Sequence, residues 1–197
     1  MKKTGGQDGG DRVLLVYAFL PEGTDGRAMS RAAWRMAVDM AATECNISPE
    51  VLTRAEGPHG KPFFSGCPEI RFNISHSGCC IACAFAGGDV GLDVQVRTGR
   101  TTDKVARRIF DEESYAAYLA SEDREDFFYT RWVRLESRLK RTGEGFSVPL
   151  DRVALDGCFS FPTLREGYYA AVNTAGPHTI VLREMDGADI PVPSQDQ

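Results

Sequence analysis

The chain has 197 residues, with 23 Lys and Arg against 28 Asp and Glu, a net charge of −5 and 42% hydrophobic residues. These are ordinary globular proportions, enough for a sizeable core in one large domain or two small halves, and the acidic balance gives no general reason to expect nucleic acid. The longest apolar run, residues 13–20, stops at Pro21 and falls far short of the roughly 18 residues that a membrane helix needs, so no membrane partner is expected.

Residues 1–11 read as a flexible lead-in: a polar spacer separates Lys2 and Lys3 from the first apolar run, which argues against a secretory leader. Residues 12–20 then form a buried strand, since β-branched and aromatic residues run without a polar break. Asp25 caps a helix over 26–45, with Met29, Ala33, Met36, Ala37 and Met40 at helical spacing. The Gly- and Pro-rich stretch 56–68 is a loop, and short strands follow over 70–74, 80–86 and 90–96. Helices are expected from about 101 to 109, from about 111, and over 123–141. Residues 151–183 look like strands broken by Gly157, Pro162, Gly167 and Pro177, and the tail after Asp186 is expected to fray. Strand, helix and strands thus occur twice, which suggests an α/β chain of two related halves, 12–89 and 90–185, with 186–197 as the tail.

Three segments carry candidate chemistry. In the long helix Phe128, Trp132, Glu136 and Lys140 are four apart and share a stripe, so Glu136 and Lys140 are expected side by side. In the strand 90–96, alternation puts Asp93 and Gln95 on one face and Leu92 and Val94 on the other. With Glu136 these make an all-oxygen set suited to Mg²⁺, a hard ion that needs only one or two protein carboxylates. Third, the strand ending Ser75, His76, Ser77, Gly78 runs into a turn whose hydroxyl, imidazole and backbone donors can hold phosphate oxygens, and Lys61, between Gly60 and Pro62, is placed to aim a point charge at a phosphate. Taken singly, each has a plainer reading: a surface ion pair, a strand end facing water, a loop lysine.

The six cysteines, at 45, 67, 79, 80, 83 and 158, are read as reduced thiols in a cytoplasmic protein. The spacing of Cys79, Cys80 and Cys83 is not that of a structural zinc site, and the strand alternation makes them small buried hydrophobes. Ser75 beside His76 is a poor hydrolase signal, because nucleophile and base must converge in space and no GxSxG turn is present.

HGKP at 59–62, FNISHSG at 72–78, VGLDVQ at 90–95 and WVRLESRLK at 132–140, in that order, resemble the 4′-phosphopantetheinyl transferases of the surfactin-synthetase-activating type. The resemblance spans roughly residues 27–155. It implies two pseudo-symmetric small α/β halves with the active site in the cleft between them. The implied reaction is Mg²⁺-dependent transfer of the phosphopantetheine arm of coenzyme A to a serine of an acyl or peptidyl carrier protein, by a monomer, releasing adenosine 3′,5′-bisphosphate. It makes Asp93, Gln95 and Glu136 the metal ligands, Glu136 or a nearby water the proton acceptor, and Lys140 the group that neutralises charge on the pyrophosphate. Arg27, Lys61, Pro62, Ser75, His76 and Lys140 would bind coenzyme A.

The chain also departs from that pattern. Gln95 stands where an acid is usual, and Leu135 where a lysine is usual. The acid expected after Phe110 is displaced to Glu112 and Glu113, and the basic residues expected ahead of the Arg27 helix are missing. The alternative is a weakened paralogue that binds coenzyme A without transferring its arm. Arg97, Arg100, Lys104, Arg107 and Arg108 offer a basic face for an acidic carrier, with a solvated helix face as the plainer reading.

Overall fold

The computed structural model describes residues 11–99 and 102–191. The expected lead-in, apart from Asp11, the end of the tail from 192, and Arg100 lie outside the described residues.

The protein is a mixed α/β chain with two main sheets. The larger has the order β4 (Arg71–Ser77), β5 (Cys80–Ala86), β1 (Asp11–Phe19), β9 (His178–Met185). β1 is central and buried on both faces, which is why it reads as a continuous apolar run. Leu14, Val16 and Ala18 face α1 (Gly26–Cys45), whose Met29, Ala33, Met36 and Ala37 cover that side. Asp25 caps α1 by accepting from the N–H groups of Arg27 and Ala28, as expected from sequence. The opposite face, with Val13, Leu15 and Tyr17, packs on Val90, Leu92, Val94, Ala170 and Val172 of the second sheet.

That second sheet has the order β6 (Val90–Val96), β8 (Tyr168–Thr174), β7 (Cys158–Ser160). Its far face is covered by α4 (Arg124–Thr142), beside which α2 (Asp103–Ile109) and α3 (Glu112–Ala120) add a small aromatic core of Phe110, Tyr118, Phe128 and Tyr129.

Three expectations are corrected. Within the stretch read as loop, β2 (Arg54–Glu56) and β3 (Pro62–Phe64) form a two-stranded hairpin. Phe64 from this hairpin is fully buried, stacked on Phe72, and Pro62 is tolerated because it opens a strand with a single partner, β2. Second, β9 was counted with the later half, yet it pairs in parallel with β1 and closes the edge of the first sheet. Third, the tail does not fray at once: Asp186 caps a 3₁₀ turn over Gly187–Asp189, and Ile190 is buried in the α1 core.

The two sheets also meet along a polar seam. The outer edge of β6 presents the N–H groups of Leu92, Val94 and Val96, and among the described residues no backbone strand pairs with them. Instead they donate to Asn73 Oδ1 (2.8 Å), Ser75 Oγ (3.1 Å) and Ser77 Oγ (3.0 Å) of β4, in matching steps of two residues. Side chains here do the work of a missing strand, since an unpaired buried N–H costs about 1–3 kcal/mol.

Candidate active site

A cavity of about 580 Å³ is lined by Ser30, Arg54, residues 59–62 and 73–76, by Asp93, Gln95, Glu136, Leu139 and Lys140, and by the loop after α4. Strand alternation turns Gly91, Asp93 and Gln95 toward α4 while Leu92 and Val94 enter the core. Gly91 is required by the close approach: a Cβ there would lie 1.8 Å from the Ser137 carbonyl oxygen of α4. This contact brings β6 and α4 near enough for their polar side chains to share one centre.

Asp93 occupies that centre, 1% exposed. Its Oδ1 accepts from Lys140 Nζ (2.6 Å) and Ser75 Oγ (3.1 Å), and its Oδ2 from Gln95 Nε2 (3.1 Å). Lys140 also donates to Ser75 Oγ at 3.0 Å. Glu136 and Lys140 lie one turn apart on α4, as expected, and feel each other's charge, but among the described residues the ion pair that Lys140 makes is with Asp93. Glu136 is left without a described hydrogen-bond donor, and burial, then the charge of Asp93, push its pKa up to about 7, with Lys140 opposing.

This donor set fits a divalent cation. Two carboxylates converge on one cavity, one wrapped in hydrogen bonds and the other destabilised as an anion, and a hard cation would relieve that repulsion through oxygen ligands alone. Gln95 is differently disposed from a ligand: its Nε2 faces Asp93, and its Oε1 accepts from Ser77 Oγ at 3.4 Å.

Ser75, His76, Lys61 and Pro62 all line the cavity. The Ser75 hydroxyl is nevertheless fully committed, donating to Asp93 and accepting from Val94 N–H and Lys140, so it has no lone pair or proton left for a phosphate. Lys61 Nζ donates to the carbonyls of Arg141 (2.7 Å) and Val90 (3.4 Å), capping the C-terminal end of α4, and burial lowers its pKa. Desolvation against the wall, then the Lys140 charge, lowers that of His76, favouring the neutral ring. Arg27 is exposed in the first turn of α1 and is not among the lining residues; Ser30, three residues on, is.

Sequence reasoning passed over Asn73, Arg54 and the loop carrying Gly143, Gly145 and the 64% exposed Phe146, all of which line the cavity. Arg138 anchors that loop through Glu144 at 2.8 Å, and it also pairs with Asp156. The cysteines are free thiols, and burial pushes Cys80 up to about 12 and Cys83 well above its usual value, which disfavours thiolate ligation.

The site thus joins a buried aspartate on a strand, a glutamate and a lysine one turn apart on the facing helix, and a Ser-His turn. Residues 89–178, which carry Asp93, Glu136 and Lys140, match the model of the 4′-phosphopantetheinyl transferase superfamily. Among curated relatives, the 4′-phosphopantetheinyl transferase Sfp of Bacillus subtilis (strain 168) is 39% identical over 95 residues, 47% of this chain and 42% of that protein. A second Bacillus subtilis 4′-phosphopantetheinyl transferase is 34% identical over 113 residues, 56% of this chain and 50% of its own length. The 4′-phosphopantetheinyl transferase AcpT of Salmonella typhimurium is 29% identical over 132 residues, 65% of each. The matched stretch thus spans about half the length of the two Bacillus relatives.

Proposed function

We propose that the protein transfers the 4′-phosphopantetheine arm of coenzyme A to a serine hydroxyl of an acyl or peptidyl carrier protein, as a Mg²⁺-dependent cytoplasmic monomer. The observation that carries this reading is the convergence of the buried Asp93 and the unpartnered Glu136 on one cavity beside Lys140. The match of residues 89–178 to the 4′-phosphopantetheinyl transferase superfamily model supports it. No helix among the described residues is long and apolar enough to cross a membrane.

In this reading Asp93 and Glu136 hold the ion, which would supply charge neutralisation on the pyrophosphate of coenzyme A. Gln95 and Ser75 are positioning residues: between them they fix both oxygens of Asp93, and Ser75 also fixes Lys140. Glu136, directly or through one water, takes the serine proton as the serine oxygen bonds to the phosphorus of the arm and the pyrophosphate P–O bond breaks. Lys140 turns its charge to the leaving adenosine 3′,5′-bisphosphate. His76, Lys61 and Pro62 would offer donors and wall to the phosphates. Such a reaction asks the protein mainly to orient groups and stabilise charge.

The test is coenzyme A binding by calorimetry with and without Mg²⁺. The transferase reading predicts tighter binding with the ion, and a coenzyme A-binding module that has lost its metal predicts equal binding.

A further inference from the structure

The two oxygens of the buried Asp93 have different partners. Oδ1 accepts from Lys140 and Ser75, whereas the donor to Oδ2 among the described residues is Gln95 Nε2 at 3.1 Å. A glutamine amide has two ends of nearly the same shape, one a donor and the other an acceptor. Which end Gln95 turns to Asp93 depends on what holds the other, and that holder is Ser77. Its Oγ accepts from Val96 N–H at 3.0 Å, and its single proton goes to Gln95 Oε1 at 3.4 Å. Donors therefore run in one direction, from Val96 N–H through the Ser77 hydroxyl and the Gln95 amide to the Asp93 carboxylate. Ser77 is itself held in place. It ends β4 opposite Cys80 of β5, and the turn between them is latched by Tyr168, whose hydroxyl oxygen accepts from Cys79 N–H at 3.2 Å. The turn closes so tightly that a Cβ on Gly78, at φ +59°, would lie 2.6 Å from that oxygen.

Gln95 stands where an acid is usual, and an acid there would set a second negative charge against Asp93. The amide supplies a donor instead, on condition that its nitrogen faces the carboxylate. Resting on the transferase reading above, we infer that Ser77 is a positioning residue for the metal centre: it acts through Gln95, turning the amide nitrogen to Asp93 so that this carboxylate keeps the orientation in which it and Glu136 receive the ion. Hydrogen bonds that orient a metal ligand in this way carry about tenfold or more in metal affinity.

The test is a double-mutant cycle on Mg²⁺ affinity, read by calorimetry on the full chain saturated with coenzyme A. Ser77→Ala should weaken Mg²⁺ binding about tenfold, and Ser77→Thr, which keeps the hydroxyl, should restore most of it. In the Gln95→Ala background the same Ser77→Ala change should leave Mg²⁺ affinity unchanged, because the chain of donors is already cut. Val96 N–H loses its acceptor in either background, so Ser77→Ala should lower the urea midpoint by the same amount in both, which separates a structural effect from the positioning one. If Ser77→Ala weakens Mg²⁺ binding equally in both backgrounds, or has no effect on it in the presence of Gln95, the assignment is overturned and the transferase reading stands. If the wild type binds no Mg²⁺, both fall.

Discussion

The Lys140 ammonium lies 2.6 Å from Asp93 on the neighbouring strand, and Glu136, one turn back on its own helix, is left out of that ion pair. The cation has gone to the more deeply buried carboxylate, where the pairing matters most. Lys140→Met should therefore cost about 2 kcal/mol of stability in urea unfolding without Mg²⁺, because it strands the Asp93 charge. Added Mg²⁺ should restore part of that loss; an unchanged midpoint would show that Asp93 does not depend on Lys140.

Glu136 gives the metal-free protein a pH dependence of definite sign. Its folded pKa, pushed up to about 7, lies above the ordinary 4.5, so the folded state holds the proton more tightly than the unfolded state. The stabilisation is complete below about pH 4.5 and is lost as pH rises through 7. In EDTA, the wild type should lose up to about 3 kcal/mol relative to Glu136→Gln between pH 5 and 8, read by urea unfolding at each pH. Parallel curves for the two proteins would contradict this.

Gly91→Ala forces a methyl group to within 1.8 Å of the Ser137 carbonyl oxygen, a backbone atom that no side-chain rotation can move. Separation of α4 from β6 is the only relief, so the variant should lose about 3 kcal/mol in stability and most of its activity together. Normal stability in thermal unfolding would mean that the two elements are not in close contact.

Much of this was legible in the chain. The limits of α1, β5 and β6 follow from Asp25, Pro21 and the glycines around 87–91, and the paired faces of β6 follow from alternation alone. The β2–β3 hairpin was hidden because Gly57, Pro58, Gly60 and Pro62 signal a turn more strongly than three residues on each side signal strands. The parallel pairing of β9 with β1 joins residues some 167 positions apart and leaves no local trace. In the site, Asp93, Glu136 and Lys140 could be picked out by residue type and spacing, but which of them pair could not. That depends on Ser75 and Asn73 reaching the free edge of β6, a contact between strands 19 residues apart. Serine and asparagine read equally well as ligand donors or as partners for a backbone edge, and here they are partners.

The basic face also changes in composition. Arg97 is spent on Asp123 and Glu125 and Arg107 lies over the Tyr115 ring, while Lys104, Arg107 and Arg108 stay exposed on α2. If an acidic carrier docks there, the double charge reversal Arg107→Glu with Arg108→Glu should raise KM for the carrier about tenfold and leave that for coenzyme A unchanged in steady-state assays. Equal effects on both constants would remove this face from the docking surface.

The central claim is tested most directly by intact mass spectrometry of a panel of apo carrier proteins incubated with this protein, coenzyme A and Mg²⁺, beside a Glu136→Gln control. The account predicts that at least one carrier gains the mass of a single phosphopantetheine arm and that the control abolishes the gain. A gain that persists in full in the control would contradict the role given to Glu136, and no gain on any carrier, joined with coenzyme A binding indifferent to Mg²⁺, would contradict the transferase reading itself.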